Sequence, residues 1–216
     1  MSKQVITIGR TYGSGGRLIG REVADRLGYA FYDKELIELA AKECGFSPDF
    51  IKANEQRSTF GFFANLASQG FSYTKDTLPP ADMLFVAQCK VIQDIAKKEN
   101  CVIVGRCADY ILRDFTNCIH IFVRSDEQDC IDRVSTLYGV QPERAESEIR
   151  KINRQRGTHC KRYTDRTWGA AENYDMMLNT ARFGIEGCVQ LICDAAKRSL
   201  SSEILLGGEE QKELTE

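Results

Sequence analysis

The sequence predicts an α/β fold of three layers, a five-stranded parallel sheet with helices on both faces. Three observations predict it. Short stretches of almost unbroken apolar residues recur along the chain, as in strands buried on both sides. Between them lie longer stretches with apolar residues every three or four positions, the period of a helix with one buried face. Strand and helix alternate, which is the pattern of parallel crossovers rather than of hairpins.

The elements follow in order. Val5-Ile6-Thr7-Ile8 is the first strand, at about 4–9. After a glycine-rich turn, Ile19, Val23 and Leu27 recur every four residues on one helix face, and Gly28 caps that helix. Ala30-Phe31-Tyr32 is the second strand, at about 29–32, and ends at Asp33. A helix is expected from about Lys34 to Lys42. Residues 48–80 match neither period; Gly61, Gly70, Pro79 and Pro80 stand among Phe60, Phe62, Phe63, Phe71 and Tyr73. They read as a helical subdomain or an aromatic loop packed on the core. Phe85, Cys89, Ile92 and Ala96 share a helix face that ends near Lys97-Lys98, where positive charge suits the helix dipole. The third strand is expected at about 101–105 and the fourth at 118–123. Cys130, Val134 and Leu137 mark the next helix, Tyr174 to Asn179 the fifth strand, and Ile185, Cys188, Val189, Ile192 and Ala196 the last helix. From Ser201 the tail holds five glutamates against one lysine, so 201–216 reads as a frayed, flexible acidic end.

Composition narrows the function. The 216 residues carry 29 basic and 31 acidic side chains, a net charge of −2, which argues against bulk nucleic-acid binding. No apolar run approaches the roughly 18 residues that cross a membrane. The opening Met1-Ser2-Lys3-Gln4-Val5-Ile6 runs straight into a strand, so no signal peptide and a cytoplasmic location are expected. Nine cysteines, an odd number with no C-x-x-C, read as free thiols serving as small buried hydrophobes. His120 lies in a strand pattern, and His159-Cys160 is a lone neighbouring pair.

Parallel sheets bind ligands beyond the carboxyl ends of their strands, so the residues just after each strand carry the chemistry. After the first comes Gly9-Arg10-Thr11-Tyr12-Gly13-Ser14-Gly15-Gly16-Arg17 and then a helix. Such a turn lets backbone N–H groups and a helix N-terminus converge on a phosphate. Gly13, Ser14, Gly15, Gly16 and Arg17 are the candidate donor-phosphate residues. The Walker A pattern G-x-x-x-x-G-K-[ST] is incomplete: Gly16 falls where lysine belongs, and Arg17 follows one place later. Arg17 is expected to replace the lysine, with a guanidinium that grips phosphate bidentately. Ser14 is the nearest hydroxyl for Mg2+. Asp33, after the second strand, reads as an acceptor or magnesium ligand or as a helix N-cap. Arg106, after the third strand and behind Gly105, reads as a phosphate contact, with a salt bridge to Asp109 or Asp114 as its plainer role. Residues 150–166 hold Arg150, Lys151, Arg154, Arg156, Lys161, Arg162 and Arg166 against Asp165 alone. This basic run reads as a solvated helix face, a nucleic-acid patch, or a lid that closes over polyphosphate.

Four stretches together resemble the cytidylate kinase-like family of P-loop nucleoside-monophosphate kinases. They are Ile6 to Arg17, Leu27 to Ile37, Val102 to Leu112, and Trp168-Gly169 through Asn173-Tyr174-Asp175 to Thr180. The resemblance implies a P-loop NTPase-type fold and transfer of the γ-phosphoryl group of ATP, with Mg2+, to a nucleoside monophosphate or related small molecule. It implies a core at 1–47, 81–149 and 170–200, an acceptor-binding insertion at 48–80 and a lid at 150–169. It places Arg106 and Arg133 on the acceptor phosphate, beside Asp33, and Arg154, Arg156 and Arg162 between donor and acceptor. The chain departs from the family at the missing loop lysine, at Asp33-Lys34-Glu35, and at Cys107, where Gly-Arg is usually followed by Asp. Two other readings stay open: a nucleotide-binding regulator that lost catalysis with its lysine, and a nucleic-acid-associated protein that uses the basic run.

Overall fold

A computed structural model of the chain describes residues 3–33 and 80–213. The helix expected at Lys34–Lys42 and almost all of the insertion expected at 48–80 lie outside the described residues. Five parallel strands form one sheet: β1 (Val5–Arg10), β2 (Ala30–Tyr32), β3 (Cys101–Val104), β4 (Cys118–Arg124) and β5 (Met176–Asn179), in the order β2-β3-β1-β4-β5. β1 is central, with Val5 beside Cys101 on one side and Cys118 on the other. Of the long β1, only Arg10 is not fully buried, which is what an apolar run at the middle of a covered sheet requires.

The helices are α1 (Gly16–Leu27), α2 (Pro80–Lys98), the short α3 (Ala108–Ile111), α4 (Glu127–Tyr138), α5 (Pro142–Thr164) and α6 (Thr180–Glu213). The alternation of side chains along each strand divides the core in two. Val5, Cys101 and Ile103 face α2 and α3, joined by Tyr163 of α5. Ile6, Ile8, Val102 and Val104 face α1 and α6, meeting Ile19, Val23, Val189 and Ile192. Each fully buried aliphatic side chain is worth about 1.5–3 kcal/mol by removal from water. A smaller cluster of Cys130, Val134, Ala145 and Ile149 locks α4 against α5.

Several expectations shift. Leu137, expected on the buried face of α4, is 56% exposed. The basic run at 150–166 is mostly the second half of one continuous helix, α5, and Gly157 is an ordinary interior residue of it. α6 turns sharply at Gly184 (φ 65°, ψ 176°) and its backbone stays helical to Glu213, through much of the tail expected to fray. Leu, Glu, Gln and Lys between 203 and 213 are strong helix formers, and that local preference accounts for the extension.

Candidate active site

β1 aims its last residues past the carboxyl edge of the sheet. It runs one residue further than its sequence pattern indicates, so Arg10 pairs with Val123 as a strand residue. The chain then turns through Thr11–Gly15 into α1. Gly13 (φ 84°) and Gly15 (φ 82°) adopt the left-handed conformation, and Gly15 caps α1 without any side-chain hydrogen bond. The N-cap residue thus offers the first-turn N–H groups of α1 no side-chain acceptor, and no acidic residue lies in that turn. A cation, Arg17, stands there instead.

That placement depends on Asp33, which follows β2. Asp33 is 4% exposed. It accepts a hydrogen bond from Nε of Arg17 at 2.6 Å, and Nη2 of Arg10 lies 3.7 Å from its other oxygen. The Arg10 guanidinium crosses directly over Gly105, where any β-carbon would collide with it. The turn after β3 is left-handed at three successive residues, Gly105 (φ 79°), Arg106 (φ 60°) and Cys107 (φ 54°). Such backbone is costly outside glycine, and here it brings Arg106 and Cys107 into the cleft.

α5 covers the loop from above. Asn153 Oδ1 accepts from the Tyr12 N–H at 2.8 Å, and Arg156 Nη1 donates to the Arg10 carbonyl at 2.9 Å. Tyr12 also stacks on Tyr138 of α4, centroids 5.5 Å apart. The segment expected as an open lid thus lies as a docked helix over the glycine loop.

These elements enclose a cavity of about 470 Å3. Arg10, Arg17, Arg106 and Arg156 line it together with two carboxyl groups, Asp33 and Asp109. Among the described residues the cations are in excess by two even with both carboxyls ionised. Burial, with Arg156 and Arg106 nearby, pushes Arg10 down to about 9 despite Asp33. Burial likewise lowers Arg156 to about 10. Each charge is disfavoured in the free chain, and a bound polyanion would reverse that. The far wall holds Cys107, His159, Cys160, Trp168 and Tyr174. His159 Nε2 is buried without a hydrogen-bond partner, and burial beside Arg106 and Arg162 lowers the ring to about 4, so it is neutral at pH 7. Burial raises the Asp109 carboxyl.

Of the expected site residues, Gly13, Gly15, Gly16, Arg17, Asp33, Arg106 and Arg156 line this one cavity. Four do not. Ser14 is fully buried and its hydroxyl donates to the Thr11 carbonyl at 2.8 Å, which turns it away from the cavity. Arg133 lies behind the loop and donates to the Gly13 carbonyl. Arg154 is exposed on the outer face of α5. Arg162 is buried in an ion pair with Asp82 of α2, whose same oxygen also accepts from the Tyr163 hydroxyl at 3.0 Å. Arg10, Asp109, His159, Trp168 and Tyr174 were not among the expected site residues; the lone His159-Cys160 pair was the one signal for His159. The donor set fits a polyphosphate. It does not fit a cation held by Ser14, and no three His, Cys, Asp or Glu side chains among the described residues converge as a metal site. Likewise no described helix is long and apolar enough to cross a membrane.

The sequence profile of the cytidylate kinase-like family matches residues 5–182. No protein of curated function matches the chain. Among solved structures, an uncharacterized protein from Eubacterium ventriosum ATCC 27560 is 24% identical, with 90% of this chain and 99% of that chain covered and a TM-score of 0.70. A shikimate kinase from Bacteroides thetaiotaomicron is 15% identical, covering 90% and 98%, with a TM-score of 0.54. A gluconokinase from Sinorhizobium meliloti 1021 is 16% identical, covering 94% and 97%, with a TM-score of 0.54. The fold is that of the P-loop kinases, and the chain belongs to the cytidylate kinase-like family.

Proposed function

We propose that the chain is an ATP-dependent kinase that phosphorylates a nucleoside monophosphate or a related small molecule in the arginine-lined cavity. The observation that carries this reading is the convergence of Arg10, Arg17, Arg106 and Arg156 with the glycine loop and the uncapped N-terminus of α1. Phosphoryl transfer needs positioning and charge neutralisation more than side-chain covalent chemistry, and these groups supply both.

Bound MgATP supplies the γ-phosphoryl group. The loop N–H groups and the α1 terminus would bind the donor phosphates. Arg10 takes the place of the missing lysine: its half-buried guanidinium lies 3.7 Å from the nearer Asp33 oxygen, whereas Arg17 is already held by Asp33 at 2.6 Å. Arg17 and Asp33 keep Arg10 aligned. Arg106, after β3, faces the acceptor, and Arg156, reaching down from α5, neutralises charge between the two substrates. The neutral His159 offers the acceptor a hydrogen bond from the far wall. Docking of α5 excludes water, which strengthens every one of these interactions.

ADP release with ATP and a panel of acceptors, both nucleoside monophosphates and polyols, compared with ATP alone, tests the proposal. Acceptor-dependent release above the ATP-only rate supports it. Saturable ATP binding without turnover on any acceptor favours the second reading, a nucleotide-binding regulator, for which the absence of the loop lysine and the inward turn of Ser14 speak.

A further inference from the structure

Two thiols in the far wall have no part in that chemistry. Cys107 stands in the left-handed turn after β3, and Cys160 lies on α5. Both line the cavity, and the two thiols lie close enough to shift each other's ionisation. Cys160 sulfur also lies 3.4 Å from the Thr164 hydroxyl and 3.8 Å from the Arg166 carbonyl. Both cysteines are free.

We propose that Cys107 and Cys160 are a redox pair whose disulfide ties α5 to the β3–α3 turn and switches the cavity off. Three features single them out. They sit on two different elements, the turn after β3 and α5, so a bond between them joins parts that are separate in the chain. Both line the cavity wall, whereas Cys101, Cys188 and Cys193 are packed in the core clusters. And contact between the two thiols shifts them in opposite directions, Cys160 towards the thiolate and Cys107 away from it, while burial raises Cys89, Cys101, Cys118, Cys130, Cys188 and Cys193. Thiolate character and access select the cysteine that reacts first.

The oxidant is a peroxide. The Cys160 thiolate attacks one peroxide oxygen, the O–O bond breaks, and sulfenic acid forms as hydroxide leaves. The Cys107 sulfur then attacks the sulfenic sulfur; an S–S bond forms, the S–O bond breaks, and the Cys107 proton leaves with that oxygen as water. The pair loses two electrons and the peroxide gains them. A dithiol reverses the step by exchange. The geometry makes the bond consequential. Arg106 precedes Cys107 directly, and Arg156 lies one turn before Cys160 on α5. The disulfide therefore fixes both arginines, which can no longer adjust to a bound substrate.

The test treats the full chain with stoichiometric hydrogen peroxide and maps its peptides without reduction. A single Cys107–Cys160 linked peptide, lighter by two hydrogens and split by dithiothreitol, is expected. It must be absent from Cys107→Ser and from Cys160→Ser. Turnover of the oxidised wild type should fall by about tenfold or more and return with dithiothreitol, while Cys107→Ser changes far less between peroxide-treated and untreated samples. The effect on turnover rests on the kinase reading, but the cross-link does not, so the mass map decides the pair even in a chain that turns nothing over. Over-oxidation of Cys160 without a linked peptide, or random pairing among the cysteines, would overturn the proposal. A linked peptide with unchanged turnover in an active enzyme would overturn the switch.

Discussion

Arg10→Met separates the stability of the free chain from its chemistry. Arg10 falls from 12.5 to about 9 in the folded chain. At about 1.4 kcal/mol per pKa unit, that sets about 5 kcal/mol against its charge. The sign is fixed: at pH 7 the guanidinium is charged both folded and unfolded, so the whole cost is present, and it fades only as pH rises from about 9 to 12.5, where the unfolded chain alone still holds the proton. Methionine keeps the apolar stem over Gly105 and removes the charge. Asp33 keeps Arg17, and Arg156 keeps the residue-10 carbonyl. With about 2 kcal/mol recovered after relaxation, Tm should rise by about 4–8 °C for a chain of this size. Turnover should fall by about a hundredfold, the loss of about 3 kcal/mol of charge stabilisation in the transition state. Scanning calorimetry and initial rates on the same preparation measure both. A lower Tm with near-normal turnover would refute the reasoning and make Arg10 a structural strut, with Arg17 left to do the missing lysine's work.

Further outcomes follow from the same geometry. Arg106→Met should raise the acceptor's KM or lower kcat and leave ATP affinity nearly intact by direct titration; equal loss of ATP affinity would contradict its place on the acceptor side. His159 is held neutral with its proton affinity lowered from 6.5 to about 4, so below pH 6.5 the unfolded chain takes a proton that the folded chain refuses. Stability should therefore drop as pH falls from 6.5 towards 4, by up to about 3 kcal/mol, and urea unfolding of His159→Gln should lack that part of the slope. Asn153→Ala removes the acceptor of the Tyr12 N–H and should cost about 1 kcal/mol. It should also speed hydrogen exchange in the 10–16 loop, and unchanged exchange there would mean that α5 does not hold the loop. Within α5, residues 158–164 should exchange slowly in the free chain, because Cys160, Tyr163 and Thr164 are buried; rapid exchange would restore the picture of an open lid.

The strands were legible because their signal is local. Cys101 to Val104 is apolar at every position and buried at every position. The order of strands was not, since nothing in Val5-Ile6-Thr7-Ile8 says that Cys101 lies on one side and Cys118 on the other. The glycine loop and Arg106 were found because they directly follow strands. Arg17 was chosen for the lysine's place because it stands nearer the lysine position in sequence; that the folded loop sets Arg10 against Gly105 is visible only in the structure. Arg162 in a basic run reads as a lid residue, and its partner Asp82, eighty positions away, is invisible to any local pattern. His159 and Asp109 belong to the cavity only through the meeting of α5 with the β3 turn, a long-range contact that no local pattern encodes.

The central claim is that the arginine-lined cavity moves a phosphoryl group from ATP to a small acceptor. Phosphorus NMR of the chain incubated with MgATP and the acceptor panel follows that atom itself. The γ-phosphorus signal should disappear as an equal amount appears on one acceptor, and this transfer should be about a hundredfold slower in Arg10→Met. Free phosphate as the only product, or an unchanged ATP spectrum with every acceptor, would contradict it.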